Sequence, residues 1–287
     1  MELDADVTVG PEQRAVLSWA AAHRRDLPWR ATRDPWAVLV SEVMLQQTQV
    51  DRVVPRWQRF LARWPDTAAC ARASLGDVLG EWQGLGYPRR ARALHESARQ
   101  IQQDHDGRFP DQLDSLLALP GVGPYTARAV LAFAFERDVA VLDTNIGRIL
   151  ARRAGAALSP RDAQALADGW VPPGHGWAWN QGLLDVGATR CRPSAPRCWD
   201  CPVAPWCSWH RNGHDEPDPA AGSAAVSRRQ APFAGSARQA RGRLLAELTR
   251  APLTAEQLSE HAPEVVESLV ADGLVERLED GTIRLPA

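Results

Sequence analysis

The sequence predicts a mostly α-helical fold, and three observations carry that reading. From Pro11 to about Leu184, apolar residues return every three or four positions, the period of a helix with one buried face. Proline or glycine stands at the breaks between these runs. Alternating strand-like stretches are nearly absent. In chain order, the clearest helices cover 36–54 behind Pro35, 75–82, 89–104 behind Pro88, and 112–117 behind Pro110. Three more follow: 125–135 behind Pro124, 143–154 closed by Gly155, and 161–170 behind Pro160.

Residues 211–230 are polar, without a period, and rich in Pro, Gly, Ala and Ser, the composition of a linker or loosely held segment. Residues 231–287 then read as three helices and a short hairpin around Asp280-Gly281, an order that suggests a small winged-helix-like domain. Its net acidity suits a packing module that makes no contact with nucleic acid equally well.

The chain has 287 residues, 45% of them hydrophobic and 24% charged, enough for about two globular domains. No apolar stretch reaches the roughly 20 residues that span a bilayer. The acidic start MELDADVTVGPEQ lacks the basic and apolar regions of a signal peptide, so a cytoplasmic location is expected. In that compartment five cysteines argue for metal binding or catalysis rather than disulfides. Four lie between 191 and 207; Cys70 stands apart and reads as a buried small hydrophobe. The chain contains no lysine, so all 33 basic residues are arginine and any mechanism with a lysine nucleophile is excluded. The net charge of −2 is unevenly spread, with 12 acids against 8 arginines after residue 211. Before it, arginines cluster at 89, 90 and 92, at 148, 152 and 153, and at 190, 192 and 197, leaving room for a local basic track.

Three constellations carry chemistry. Cys191, Cys198, Cys201 and Cys207 place four thiols within 17 residues, in a loop restricted by Pro193, Pro196, Pro202 and Pro205. The spacing departs from the paired CxxC motifs of zinc ribbons, and leaves structural zinc and a 4Fe-4S cluster equally open. LPGVGPYTA, from Leu119 to Ala127, joins two helices through Gly121, Val122 and Gly123. Both glycines allow positive φ and close approach by a partner, and a helix starting near Pro124 would direct free amides at a phosphate. An ordinary tight turn accounts for the same residues. Finally, Glu42 and Asp143 are a pair of carboxylates on different helices. Asp143 could be an N-cap, whereas Glu42 sits among Val40, Val43, Met44 and Leu45. A carboxyl in such surroundings has its pKa raised, the requirement for a general acid at neutral pH.

LPWR, SEVMLQQTQV, GLGY, LPGVG, LDTN and the four-cysteine spacing, in that order, resemble the MutY-type adenine DNA glycosylases of the helix-hairpin-helix superfamily, from about Leu27 to Cys207. The resemblance implies a two-lobed helix-hairpin-helix glycosylase fold, with 29–140 as a six-helix barrel and 1–28 plus 141–210 as the lobe carrying a 4Fe-4S cluster. It implies double-stranded DNA with a mispaired adenine as partner, bound by a monomer acting on the nucleoid. Glu42 would protonate the base, Asp143 would stabilise an oxocarbenium-like sugar from across the cleft, and Tyr125 and Asn145 would support that centre. Gln46 and Tyr87 would insert into the duplex, while Trp29, Arg30 and Asp185 would line the adenine pocket. In endonuclease III-like relatives a lysine stands where Tyr125 does, so the resemblance implies a monofunctional enzyme. Relatives that remove thymine or uracil from mismatches generally lack the glutamate of SEVMLQQTQV; Glu42 therefore favours a purine, and with Asp143 argues against a non-catalytic DNA-binding relative. The C-terminal segment is too short and too helical for the Nudix-like domain of longer members, and Pro88 stands where another tyrosine is frequent.

Overall fold

Side chains written into the sequence start many of the helices: Asp34, Asp66, Ser74, Asp143, Ser159, Ser236 and Thr254 each accept a first-turn backbone N–H. The structure, a computed structural model, describes residues 9–226 and 233–287. Helix α1 spans Pro11–His23, α2 Pro35–Leu45, α3 Val50–Arg63, α4 Thr67–Arg72 and α5 Leu75–Glu81. There follow α6 Arg89–Asp104, α7 Leu113–Leu117, α8 Pro124–Phe133, α9 Thr144–Ala154, α10 Pro160–Trp170 and α11 Gly176–Thr189. A short α12, Ser208–Arg211, precedes α13 Ala237–Leu248, α14 Ala255–Leu258 and α15 Pro263–Ala271. The chain closes with antiparallel β1 Glu276–Arg277 and β2 Ile283–Arg284, joined through a turn in which Gly281 has φ +82°. Among the described residues no helix is long and apolar enough to cross a membrane.

The helical class expected from the sequence is thus the one found, with two corrections. The helix expected over 36–54 is two helices, because residues 46–49 break it: Gln46 turns to extended backbone and Gln47 takes φ +57°. Residues 211–226, expected to be part of a loose linker, are held down. Asp218 pairs with Arg152 at 2.6 Å, Ala224 N–H donates to the Leu158 carbonyl, and Ala220 and Ser223 are buried. The remainder of that linker, 227–230, lies outside the described residues.

The chain divides into two compact units. The first comprises the described residues of Met1–Arg33 and Ala127–Arg229, the second those of Asp34–Thr126 and Gln230–Ala287. Helical period, from which the sequence reading worked, marks elements and not which elements share a core. The C-terminal residues join the second unit.

The first unit is built on Val16, Ile146, Ile149, Leu150, Trp179 and Leu183, with Trp170 edge-on to Trp179 at 4.9 Å. Small residues set the helix contacts: a Cβ on Gly182 would lie 2.8 Å from Ala20 Cβ, and one on Gly187 only 2.5 Å from Asn145 Cβ. Glycine at 187 therefore lets α11 press against the start of α9, which carries Asp143 and Asn145. The second unit is centred on aromatic residues, with Phe60 edge-on to Trp64 and Trp82. The buried indoles Trp36 and Trp57 donate to the carbonyls of Trp64 and Ala37, so neither of these two donors is stranded.

Candidate active site and cysteine pocket

Glu42 lies on α2, 5% exposed, in the apolar stretch that the sequence shows around it. The Tyr125 hydroxyl, from the first turn of α8, donates to its Oε2 at 2.8 Å. One turn further along α2, Gln46 Nε2 donates to the Thr126 hydroxyl at 3.3 Å. Residues four apart share a helix face, so Glu42 and Gln46 meet the adjacent Tyr125 and Thr126 as two rungs joining α2 to α8. Thr126 is buried, and nothing in its motif position announced it.

The hairpin between α7 and α8 is tight because Gly121 has φ +70° and because its missing Cβ leaves room for Ala93, which would otherwise be 2.7 Å away. Gly123 differs from the expectation. Its φ is not in the left-handed region, and a Cβ there would meet nothing within 4 Å. Val122 is buried and donates its N–H to the Leu119 carbonyl, fixing the turn.

Arg90 was legible only as one of a basic cluster, yet it organises two loops. Its Nη1 donates to the carbonyls of Val43, Met44 and Gln46 at 2.7, 3.1 and 2.6 Å. Its Nη2 donates to the Thr48 hydroxyl and to the carbonyls of Leu85 and Gly86 at 3.2, 2.9 and 3.0 Å. This one guanidinium ends α2, explains the break at 46–49, and ties the Gln46 loop to the Tyr87 loop. Burial pushes its pKa down to about 10, which leaves it charged at neutral pH. Tyr87, half-buried, has φ +49°.

In the first unit Asp143 is the N-cap of α9, accepting the N–H of Asn145 at 2.9 Å and of Ile146 at 2.7 Å. The Asn145 amide donates to the second oxygen at 2.8 Å and is itself held by Arg148. Desolvation raises the Asp143 pKa, opposed by these hydrogen bonds and the Arg148 charge. The capping role and a chemical role are compatible, since one carboxylate oxygen serves the backbone and the other accepts from a side-chain amide.

Arg30 and Asp185 are brought together and buried. Arg30 Nη1 and Nη2 grip the two carboxylate oxygens at 2.7 and 2.9 Å, and Arg25 adds its backbone N–H and Nε. Arg30 Nε is buried without a partner among the described residues. Trp29, buried beside them, shares the Pro28–Arg30 turn.

Cys191, Cys198, Cys201 and Cys207 line one apolar pocket with Ile149 and Val203. None is in a disulfide. Burial, then the nearness of the other cysteines, raises the thiols of Cys198 and Cys201, the latter to about 12; Cys207 is raised by burial first as well. Arg152 Nη1 lies 3.4 Å from Cys191 Sγ. His210 and His214, which the sequence reading passed over, bring ring nitrogens within 4.8 Å of one another and of Cys198 Sγ. Cys70 is fully buried, as expected, with its thiol pushed up to about 12 by burial.

Residues 40–173 match the HhH-GPD superfamily of base excision DNA repair proteins. An adenine DNA glycosylase of Mycobacterium tuberculosis is 43% identical over 290 residues, covering 94% of this chain and 92% of that protein. The chain belongs to the adenine DNA glycosylase family. A human adenine DNA glycosylase is 37% identical over 74% of this chain and 42% of its own length. Among solved structures, a thermostable thymine-DNA glycosylase superposes with TM-score 0.66 at 31% identity, over 69% of this chain and 94% of that one. A non-covalent endonuclease III–DNA complex, at 20% identity and TM-score 0.60, shares the fold over 70% of this chain and 95% of that one. As a member of this family the chain is a DNA N-glycosylase of base excision repair. The matched span holds Glu42, Gln46, Tyr87, Tyr125, Asp143 and Asn145 but ends before the cysteines, and the similarity to the mycobacterial protein extends across nearly the whole chain.

Proposed function

We propose that this chain is a monofunctional glycosylase that removes adenine mispaired with 8-oxoguanine or guanine from double-stranded DNA and leaves an abasic site. The observation that carries the proposal is the buried Glu42 carboxyl bonded to the Tyr125 hydroxyl in a chain without lysine. Adenine leaves poorly as an anion. Glu42 gives its proton to the imidazole ring of the base, the bond between base nitrogen and sugar carbon breaks with its electron pair going to the neutral base, and the sugar gains oxocarbenium character. The Asp143 carboxylate, steadied by Asn145, lowers the energy of that positive charge. Glu42, now ionised, takes a proton from the water that bonds to the sugar carbon, which completes hydrolysis and resets the acid. Tyr125 orients Glu42 through its hydroxyl and, unlike a lysine, forms no Schiff base. Hence the strand is not cut by a lysine-dependent lyase step.

DNA binding in this reading uses the hairpin. Gly123 fills no space inside the protein, so its small size suits close approach of a phosphate to the amides that open α8. Gln46 and Tyr87 enter the duplex when the adenine is extruded. Trp29, Arg30 and Asp185 line the adenine pocket in this reading, with the Asp185 carboxylate holding the Arg30 guanidinium in place. The four cysteines suit an iron–sulfur group: soft donors share an apolar pocket, and bonding to iron would offset the burial, and then the mutual repulsion, that disfavour their thiolates. When bound, a 4Fe-4S cluster supplies a rigid cross-link for the loop. The protein acts as a monomer in the cytoplasm.

A second reading, excision of thymine opposite guanine, draws on the structural similarity to a thymine-DNA glycosylase. Incubation with duplexes carrying A opposite 8-oxoguanine, A opposite G, or T opposite G, followed by alkali, separates the two. Cleavage of the adenine strands is expected. Cleavage of the T strand alone would reject the adenine assignment.

A further inference from the structure

We propose that the C-terminal helices and hairpin brace the Tyr87 loop, with Arg238 as a positioning residue for the Tyr87 side chain and Asp272 as the anchor of the brace. This rests on the reading of Tyr87 as a residue that enters the duplex. Arg238, near the start of α13, donates from Nη1 to the Tyr87 hydroxyl at 2.9 Å. The guanidinium groups of Arg90 and Arg238 lie 5.5 and 5.8 Å from the centre of the tyrosine ring, both within cation–π range. Arg90 comes from the helix that follows the loop, Arg238 from a segment 151 residues away.

The segment is fixed at the same place by an independent set of contacts. Asp272, just after α15 and 9% exposed, accepts from Arg89 at the start of α6 and from Arg241 of α13. Its backbone carbonyl accepts from Arg92. Gly273 has φ +60°, the left-handed region that favours glycine, and a Cβ there would displace the Arg92 guanidinium, whose Nη1 it would meet at 2.6 Å. A second attachment joins Gly76 N–H of α5 to the Pro286 carbonyl at 2.9 Å, again at a glycine whose Cβ would collide. One buried carboxylate therefore links α13, which holds the Tyr87 hydroxyl, to the first turn of α6, which holds its backbone. Arg89 leads among the causes that keep Asp272 below the usual carboxylate range, so the link persists at neutral pH.

The segment's excess of acids makes it a poor phosphate binder, and Arg238 and Arg241 are directed at its own unit. A tyrosine that must part stacked bases works best when its ring is already ordered, because the entropy of ordering is then not charged to the DNA-bound state. Ordering Tyr87 is the service the C-terminal segment provides.

The test uses the full chain as R238A, R238K, Y87F and the double variant Y87F/R238A. The readouts are the single-turnover rate on a duplex with adenine opposite 8-oxoguanine and the fluorescence rise of 2-aminopurine beside that adenine. R238A and Y87F should each slow excision roughly fivefold, the equivalent of one ordinary hydrogen bond, and reduce the fluorescence rise. The double variant should be no slower than either single variant, and R238K should recover most of the rate. A merely structural role for Arg238 would lower the thermal midpoint and leave the rise of the folded protein intact, which would overturn the proposal. So would an R238A protein with the wild-type rate, or effects of the two substitutions that multiply. A Y87A protein that unstacks the base normally would instead overturn the underlying reading of Tyr87.

Discussion

Asp185→Asn isolates the electrostatics beneath the Pro28–Arg30 turn. Asp185 is fully buried, and its side chain and that of Arg30 are 1% and 5% exposed. Burial raises the carboxyl, but the hydrogen bonds and charge of Arg30, then those of Arg25, overrule it and hold the pKa below the ordinary value of 3.8. The substitution leaves a guanidinium buried without its counter-charge, a loss of roughly 3–5 kcal/mol. Arg25 is 35% exposed on its side chain and adds little after solvent screening, about 0–1 kcal/mol. A folded-state pKa below the unfolded one means that the unfolded chain binds more protons between the two values, so this stability is present above pH 3.8 and fades as pH falls through the folded pKa. Urea unfolding at pH 7, with hydrogen exchange of the amides of α1 and α11 to follow the first unit, should show a loss of about 3 kcal/mol or more. The deficit should shrink in acid, where wild-type Asp185 is protonated too. A deficit below about 1 kcal/mol at pH 7, the range of an exposed pair, would mean that Asp185 does not balance a buried charge.

Other perturbations follow from the same geometry. Arg90→Lys offers one ammonium to six acceptors on two loops, and should cost at least about 2 kcal/mol in urea unfolding and slow adenine excision. A variant with wild-type stability and rate would deny that Arg90 holds the loops. Gly121→Ala should destabilise by about 1–3 kcal/mol, because it adds a contact with Ala93 at positive φ. Gly123→Ala should stay within about 0.5 kcal/mol of wild type while weakening DNA binding; unchanged affinity in a filter-binding titration would remove the hairpin from the interface. The purified protein should carry iron and sulfide with a broad visible absorption shoulder; zinc without iron would assign the cysteine pocket differently.

The helical runs and the four-cysteine loop were legible because each is encoded locally, by period or by spacing. The break after Leu45 was not, since the donor that ends α2 is Arg90, more than 40 residues away. Asp218 looked like one polar residue in a linker because its partner Arg152 is 66 positions distant. The Glu42 and Gln46 positions were marked by motif, but Thr126, one of the two rungs, is an ordinary residue whose importance comes from standing opposite Gln46. Asp143 was legible both as a cap and as a chemical group, and the geometry makes it the cap without using up its second oxygen. The C-terminal helices and hairpin were legible as elements; that Asp272 and Arg238 direct them onto the Tyr87 loop was not, because one carboxylate and one arginine carry no pattern.

In the proposed reaction the buried carboxyl of Glu42 supplies the proton on which adenine departs. Glu42→Gln keeps the shape and can still accept from Tyr125, but has no acid to give. Single-turnover excision from a duplex with adenine opposite 8-oxoguanine, measured beside equilibrium binding of the same duplex, tests it. Excision should fall by about a hundredfold or more with affinity retained; excision at the wild-type rate would mean that the proton comes from elsewhere.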